Sequence, residues 1–219
     1  MKDNIKMPVH QRYIIDDYKK IASSYEKRWP EFVKETSSYV LDAWQSGNNK
    51  EDDVSVIDIG CGTGYMLQEI HNEYPKYKLT GIDISADMLD MARQNVPHAF
   101  IVEDDVSGNC GEWINIKYEM VLSINILHHI EDYIDHIKML SSLCNSGGSI
   151  FLCDFAIDNY KMRLAEIYWR IFHKSHRRAF STNNLRRVID NIDEVKIISF
   201  DNLYLTKFWN LQIYHLKKL

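Results

Sequence analysis

Short apolar runs alternate with segments of helical periodicity through the middle of the chain. Each run is rich in Val, Ile, Leu and Phe and leaves no clearly polar face, which is typical of buried strands in a parallel sheet. Between the runs, apolar residues recur every three or four positions, which predicts helices. The predicted strands are VSVIDI (54–59), KLTGID (78–83), AFIVED (99–104), EMVLSI (119–124) and GSIFLCDF (148–155), and the predicted helices cover 64–74, 86–95 and a segment around Ile134, Ile137 and Leu140. This alternation predicts an α/β protein with helices on both faces of the sheet.

The two ends of the chain follow other patterns. At the N-terminus, residues 11–29 have the spacing of one amphipathic helix that Pro30 ends, and a second helix follows from Phe32 to Trp44. It stops in the turn-forming sequence SGNN (46–49). Near the C-terminus, a helix begins at the Ser/Thr cap of STNNLRRVID (181–190), and two strand-like runs, EVKIISF (194–200) and FWNLQIYHL (208–216), predict an antiparallel pair.

Between the fifth strand and this last helix lies an aromatic and basic segment, residues 158 to 178. Tyr168, Phe172 and Ser175 share a helical face, which predicts that some of the aromatic residues pack in the core. The segment interrupts the strand–helix alternation on the side where a ligand crevice opens, so the alternative is a lid over a bound molecule.

Composition limits the cellular setting. The chain has 219 residues, 45% of them hydrophobic, and no linker or internal repeat divides it. One domain is therefore predicted. Its four cysteines, Cys61, Cys110, Cys144 and Cys153, form no CxxC pair, which argues against a zinc knuckle or a disulfide framework and favours a reducing compartment. We find no signal-peptide pattern and no apolar window of membrane-spanning length, and we therefore expect a cytoplasmic protein.

The charge of the chain is unevenly distributed. Its net charge of -5 argues against a dedicated nucleic-acid-binding protein, and no stable nucleic-acid binding is expected. Residues 159–219 nevertheless contain 12 Lys and Arg against 5 Asp and Glu, whereas residues 1–158 are strongly acidic. The two parts are therefore suited to different binding partners.

The sequence VIDIGCGTGY (56–65) carries the strongest chemical signal. Gly60, Gly62 and Gly64 directly follow the first predicted strand, where backbone without Cβ atoms can turn sharply and approach a ligand. The pattern from Asp58 to Gly64 is D-x-G-x-G-x-G. It differs from the G-x-G-x-x-G of dinucleotide-binding proteins and lacks the G-K-[ST] of triphosphate-binding loops.

Five segments in order resemble the class I S-adenosylmethionine-dependent methyltransferases, in particular the branch that contains the ubiquinone and menaquinone methylases. They are YKKIASSYEKRW, VIDIGCGTGY, GIDISADMLDMA, EMVLSINILHHIED and LCNSGGSIFLCDF, within residues 12–155. Only Ser146, where proline is usual, departs from the last motif. The resemblance implies a Rossmann-like, doubly wound, mostly parallel seven-stranded sheet with an antiparallel edge strand. Within the single domain it implies an N-terminal helical cap (1–50), a cofactor-binding core (51–155), a lid insertion (156–180) and a C-terminal helix with a strand pair (181–219).

The resemblance also implies the cofactor, S-adenosylmethionine, its product S-adenosylhomocysteine, and the residues around them. Asp83, at the end of the second strand, is placed to accept hydrogen bonds from both ribose hydroxyls. Ile84 and Met88 are expected to enclose the adenine, although Met88 also has core spacing. Either Asp104 or Asp105 is expected to bind the adenine amino group, the alternative for Asp104 being a turn cap. The full predicted set is Tyr25, Asp58, Gly60, Cys61, Gly62, Gly64, Asp83, Ile84, Met88, Asp104, Asp105 and Ser123, with Asn125 beside Ser123.

Methyl transfer needs alignment of the acceptor, exclusion of water and, for some acceptors, removal of a proton. His128 and His129, after the fourth strand, are the predicted catalytic residues, and only one of them is expected to face the ligand. His129, Asp132 and His136 share a helical face, but a solvated helix is the simpler interpretation, and no metal is predicted.

The aromatic residues of 158–180, with Arg163, Arg170, Arg177 and Arg178, suit a flat or apolar acceptor that bears a carboxylate or phosphate. A small-molecule methyltransferase, as monomer or homodimer, is therefore predicted. An RNA or protein methyltransferase and a non-catalytic cofactor-binding module remain as alternatives. The sequence leaves open whether oxygen, nitrogen or carbon is methylated.

Overall fold

The computed structural model describes residues 8–47, 53–106, 111–205 and 209–219. Eight α-helices and seven strands alternate along them. The helices are α1 (Val9–Lys19), α2 (Tyr25–Arg28), α3 (Pro30–Gly47), α4 (Tyr65–Glu73), α5 (Ala86–Asn95), α6 (Tyr133–Leu143), α7 (Tyr160–Phe172) and α8 (Thr182–Asp190). The strands are β1 (Ser55–Ile59), β2 (Lys78–Asp83), β3 (Phe100–Glu103), β4 (Tyr118–Ile124), β5 (Cys144–Phe155), β6 (Val195–Tyr204) and β7 (Asn210–Lys218).

The strands form one sheet in the order β3-β2-β1-β4-β5-β7-β6. The first five strands pair in parallel, and β7 is antiparallel to both β5 and β6. This confirms the predicted doubly wound, mostly parallel sheet, with β7 one position inside the edge strand β6. Strand order reverses between β1 and β4, so a crevice opens beyond the carboxyl ends of these two strands.

Each face of the sheet has its own core, because successive side chains of a strand point to opposite faces. Val56 packs on one face with residues of α3 and α4, whereas Ile57 packs on the other with residues of α6 and α8. The serine cap predicted for α8 is present, since the Ser181 side chain accepts a hydrogen bond from the backbone N–H of Asn184. Cys61, Cys144 and Cys153 are buried, and Cys110 lies outside the described residues.

The N-terminal segment differs from the prediction. Residues 11–29 do not form one helix, because α1 ends at Lys19, a 3-10 turn covers Ala22–Ser24 and the short α2 follows. The helix that ends before Pro30 is only the short α2, with Trp29 as its C-cap, and Pro30 is the first residue of α3. Proline favours this position because its fixed φ suits the first helical turn and its missing N–H would have had no partner there. These breaks allow Tyr18 and Tyr25 to reach the same crevice.

Hydrogen bonds join the two ends of the segment that follows β5. Ile157 donates its backbone N–H to the carbonyl of Phe180 (3.1 Å), and Thr182 donates to the Asp158 carboxylate (3.1 Å from the backbone nitrogen). Between these points runs α7, which begins at the Asn159 cap. Some aromatic residues of the segment were predicted to pack in the core; Phe180 does, whereas Tyr168 and Phe172 do not, since they are 53% and 66% exposed.

Among the described residues, α-helices of the length and apolarity needed to cross a bilayer do not occur.

Candidate functional site

The loop after β1 depends on its three glycines. All three have positive φ, +79° at Gly60, +53° at Gly62 and +79° at Gly64, a region that L side chains rarely adopt. A Cβ at Gly60 would lie 2.5 Å from Ile126, and one at Gly64 would lie 3.2 Å from Ala92 on α5. At Gly62 a Cβ would meet open space. Gly64 therefore permits helix packing, while Gly62 presents bare backbone to the crevice.

Asp83 holds this loop in place. Its Oδ2 accepts the backbone N–H of Gly62 (2.9 Å), and its Oδ1 accepts that of Ser85 (2.9 Å). Burial raises the pKa of the Asp83 carboxyl, and these backbone hydrogen bonds oppose the rise because they favour the charged form. The carboxylate thus stands at a fixed position at the carboxyl end of β2.

A cavity of about 1060 Å³ fills the crevice beside this loop. Its walls come from the N-terminal helices, the glycine loop and the ends of β2, β3 and β4. Nine of the predicted cofactor-binding residues line it: Tyr25, Gly60, Cys61, Gly62, Asp83, Ile84, Met88, Asp104 and Asp105. Asn125 lines it as well. The structure thus brings together residues that are up to 100 positions apart in the chain.

Three predicted residues lie outside the lining of this cavity. Gly64 lies against α5, as described above. Ser123 is fully buried in β4, with its hydroxyl 3.1 Å from Nε2 of His136, and burial lowers the pKa of that imidazole to about 4. Asp58, near the end of β1, is 2% exposed.

Asp58 is nevertheless chemically distinctive. Its Oδ1 is buried with no hydrogen-bond partner among the described residues. Burial, followed by the nearby Asp83 charge, raises the pKa of Asp58 to about 7. A carboxylate in this position needs a cation or a proton, and a positively charged ligand group would supply the former.

The two acids after β3 have different surroundings. Oδ2 of Asp104 accepts hydrogen bonds from Nε1 of Trp113 (2.6 Å) and from the backbone N–H of Gly111 (2.7 Å), which ties its own loop together. This is the capping alternative for Asp104. Asp105 accepts a hydrogen bond from the side chain of Gln11 on α1. Because both line the cavity, the choice of adenine-binding acid remains a prediction.

A second cavity, of about 680 Å³, adjoins the first under α7 and the N-terminal helices. The two cavities share Tyr18, Tyr25, Asn125 and His129. The second is strongly aromatic, with Trp29, Phe155, Trp169 and Trp209 in its wall. The ring of Trp209 lies 5.3 Å from that of Trp169 and 5.2 Å from that of Trp29. Such a wall suits a flat or apolar molecule.

His128 faces this second cavity and is held by Asp154. Its Nδ1 donates to Oδ1 of Asp154 (2.9 Å), and its backbone N–H donates to Oδ2 of the same carboxylate (2.8 Å). Asp154 is fully buried near the end of β5. Because Nδ1 carries the proton in this pairing, Nε2 is the basic nitrogen of the neutral ring.

His129 is engaged at both ring nitrogens. Its Nδ1 donates to the carbonyl of Ser175 (2.6 Å), and its Nε2 accepts the Tyr18 hydroxyl (2.9 Å). Burial, with the neighbouring His128, lowers the pKa of His129 well below its ordinary value, and burial raises that of Tyr18. A neutral imidazole thus positions a protonated phenol at the junction of the two cavities.

Sequence reasoning missed Asp154, which the motif LCDF contains but which was interpreted only as part of a strand. An acid at the carboxyl end of a buried strand could have indicated it, since such positions face the crevice. Trp209 was placed in a strand, and no local signal distinguishes it. Of the four arginines assigned to the acceptor, Arg177 pairs with Glu131 (2.9 Å) and Arg178 lies 5.2 Å from the Tyr133 ring. None of the four lines the second cavity.

The three residues considered as a metal triad, His129, Asp132 and His136, all line the larger cavity. His136 is buried against Ser123, while Asp132 lies at the start of α6. Within the described ranges, no group of three or more His, Cys, Asp or Glu side chains is placed to hold a metal ion.

Comparison with known proteins identifies the family to which the chain belongs. The family model described as a methyltransferase domain matches residues 21–193. The chain therefore belongs to the methyltransferase-domain family, which confirms the resemblance to the class I, S-adenosylmethionine-dependent enzymes.

Curated relatives agree over part of their length. The malonyl-[acyl-carrier protein] O-methyltransferase of Priestia megaterium is 28% identical over 127 residues, 56% of this chain and 44% of that protein. The trans-aconitate 2-methyltransferase of Rhodopseudomonas palustris is 32% identical over 100 residues, 45% and 37% of the two chains. The matched region thus covers less than half of either relative.

Solved structures match nearly the whole fold. The plantazolicin methyltransferase BpumL, solved in complex with SAH, has a TM-score of 0.75 and 18% identity over 96% of this chain and 94% of its own. The magnesium protoporphyrin IX methyltransferase of Synechocystis, also with bound SAH, has a TM-score of 0.68 and 18% identity over 95% and 100%. At this identity the likeness establishes the fold.

Proposed function

We propose that the protein transfers a methyl group from S-adenosylmethionine to a small molecule held in the aromatic cavity. The observation that carries the proposal is the pair of adjoining cavities with a shared boundary at Tyr18, Tyr25, Asn125 and His129. A transferase that moves a group in line between two ligands needs two such spaces in contact.

The residues of the larger cavity fit the cofactor. Buried oxygens of Thr63 and Asn125 in its lining, and of Asp58 behind the loop, have no hydrogen-bond partner among the described residues. Buried acceptors of this kind call for ligand donors, and the ammonium and ribose hydroxyls of S-adenosylmethionine are donors. Asp83 would bind the ribose, Asp58 the ammonium, and Ile84 with Met88 the adenine. When bound, the cofactor supplies a methyl group already activated on a sulfonium.

The residues of the aromatic cavity indicate the acceptor class. We assign it to an aromatic or apolar molecule whose nucleophilic atom carries a proton, such as a hydroxyl. Nε2 of His128 would accept that proton, and the carboxylate of Asp154 would stabilise the resulting imidazolium. Tyr18, held by His129, orients the acceptor at the junction. Any anionic group of the acceptor would meet Arg28 and Lys20 in this lining, where Lys20 pairs with Asp17 (3.3 Å) and Glu31 also lies.

A labelled-methyl assay tests the proposal. The protein is incubated with methyl-labelled S-adenosylmethionine and a panel of aromatic hydroxyl compounds, small carboxylates, RNA and proteins, and transfer is followed by mass spectrometry. We expect transfer to a small aromatic or apolar member of the panel. Labelled RNA or protein instead would support the alternative substrate class, and tight cofactor binding with no transfer would support a non-catalytic module.

A cavity-filling pair of variants locates the acceptor. Leu205 lines the aromatic cavity but not the larger one. Leu205→Trp should abolish transfer while S-adenosylhomocysteine binding stays unchanged. Ile198→Trp, at a 52% exposed position on the same strand region, is the matched control and should retain activity. Full transfer by Leu205→Trp would place the acceptor elsewhere.

Cytoplasmic location and a monomeric or homodimeric state remain predictions.

A further inference from the structure

The outward face of α7 is apolar, which is unusual for a surface helix. Six large apolar side chains at helical spacing are between 53% and 70% exposed: Tyr160, Leu164, Ile167, Tyr168, Ile171 and Phe172. Surface helices of globular proteins normally turn such a stripe to the core. Here the residues that α7 buries are Met162 and Glu166. We call the six exposed residues the α7 face.

The charges around this face have one sign. Glu166 is the only acidic residue between Asn159 and Arg178, and it is buried in contact with the His176 imidazole. Arg163, Arg170 and Lys174 are exposed. The exposed charges of α7 and the residues that follow it are therefore cationic, in a chain whose net charge is -5, while the exposed Asp158 before the helix accepts hydrogen bonds from Thr182.

Apolar side chains flanked by cations on one helix are the features of a helix that lies in the interface of an anionic bilayer. We propose that α7 docks the protein on an anionic lipid surface. A second copy of the chain fits less well, since two α7 faces brought together would also bring their arginines together without exposed acids of the segment to offset them.

The position of α7 gives this surface a purpose. Trp169, on the inward side of the helix, and His173, just after it, line the aromatic cavity. A helix that lies in the headgroup region thus also forms the wall of the acceptor space. In this arrangement an apolar acceptor enters from the bilayer, a consequence that rests on the proposed function, whereas docking itself does not.

Vesicle flotation with purified full-length protein tests the docking. The probes are vesicles of phosphatidylglycerol and phosphatidylcholine in equal amounts, and vesicles of phosphatidylcholine alone. We expect flotation with the former, weakened by salt, and little with the latter. Equal flotation with both, or none with either, overturns the proposal.

Two double variants assign the binding to α7. Leu164→Ser with Ile171→Ser should weaken vesicle binding ~tenfold or more, because the removed side chains supply the buried apolar area. Ile116→Ser with Ile198→Ser changes two exposed residues outside α7 (51% and 52%) and should bind like the wild type. Unchanged binding of the α7 variant contradicts the proposal.

Charge and self-association are examined in the same series. Arg163→Gln with Arg170→Gln should reduce binding to the anionic vesicles, whereas Arg187→Gln with Lys196→Gln should not. A wild-type dimer that the Leu164 and Ile171 changes dissociate, without vesicle binding, would show instead that a second copy covers the face. S-adenosylhomocysteine affinity and transfer in the labelled-methyl assay, both measured for every variant, separate failure of docking from failure of the proposed function.

Discussion

At the scale of residues, the site depends on two side-chain pairings, His128 with Asp154 and Tyr18 with His129. The glycines, Asp83 and the two histidines were predictable because their position after buried strands determines where they lie. The roles of His128 and His129 were not predictable, because the partner of His128, Asp154, is 26 residues away in the chain. Likewise, only the folded loop shows that Trp113 and Gly111 donate hydrogen bonds to the Asp104 carboxylate.

His128→Gln should lower kcat at least ~100-fold, since it removes the proposed base, and leave S-adenosylhomocysteine affinity unchanged. Asp154→Asn should lower kcat in the same way, because an amide no longer fixes the imidazole with its proton on Nδ1. Steady-state kinetics and calorimetry measure the two quantities. His71→Gln, on α4 and outside the lining of both cavities, is the control. Wild-type kcat in His128→Gln would limit this histidine to a structural role.

Asp83→Ala should weaken S-adenosylhomocysteine binding by at least ~tenfold, since a charge-assisted hydrogen bond to the ribose is lost. It also removes the acceptor that holds the Gly62 N–H. Asp90→Ala, which breaks only an exposed ion pair with Arg93 on α5, is the control and should bind normally. An unchanged dissociation constant for Asp83→Ala, measured by calorimetry, would remove Asp83 from the site.

Asp58 predicts a pH dependence of stability. Its pKa rises from 3.8 to about 7 in the folded chain, so the folded state binds more protons than the unfolded state between these values. Stability contributed by the protonated group is therefore lost as pH rises through this range. At pH 8, without ligand, Asp58→Asn should raise the Tm by several degrees, and at pH 4 the difference should shrink. A Tm difference independent of pH would contradict this origin. With the ammonium bound, the order of the two Tm values reverses, so that the wild type melts above Asp58→Asn. The variant should also bind S-adenosylmethionine more weakly.

At the scale of elements, the central strands β1 and β4 were predictable because a buried parallel strand is apolar along most of its length. Helix ends near Pro30 were not, since proline ends one helix and begins another with equal ease, and the choice depends on where the next helix packs. The exposure of Tyr168 and Phe172 on α7 was not predictable for a related reason. Periodicity shows that a helix has an apolar face but not whether that face meets the core.

The insertion after β5 provides an element-scale prediction. Replacement of residues 160–173 by a short Gly/Ser linker should spare S-adenosylhomocysteine binding and abolish transfer, because Trp169 and His173 are lost from the acceptor wall. The exchange must keep two features outside these residues. One is the Ser175 carbonyl, which accepts a hydrogen bond from His129, and the other is Phe180, which is 6% exposed and packs in the core. Calorimetry and the transfer assay measure the two outcomes. Joint loss of cofactor binding and of cooperative melting would show that the segment is structural and not a lid.

At the scale of the whole molecule, the site exists only because distant segments converge. The larger cavity is bounded by α1, by the loop after β1 and by the ends of β2, β3 and β4. The strand order reverses at this point. The alternation of strands and helices predicted the doubly wound sheet in which this reversal occurs. The shape of the adjoining cavity depends on side chains from both ends of the chain, which no local pattern describes.

Because its walls come from so many elements, the larger cavity should couple ligand binding to the stability of the whole domain. A ligand that binds only the folded state at 100 times its Kd stabilises it by about 2.7 kcal/mol. For a chain of this size, each kcal/mol raises the Tm by roughly 2–4 °C. Saturating S-adenosylhomocysteine should therefore raise the Tm by about 5–10 °C in differential scanning fluorimetry, and Asp83→Ala should need ~tenfold more ligand for the same shift. NAD should give no shift, because the D-x-G-x-G-x-G loop lacks the glycine spacing of dinucleotide sites. An equal shift with NAD would mean that this loop does not select the cofactor.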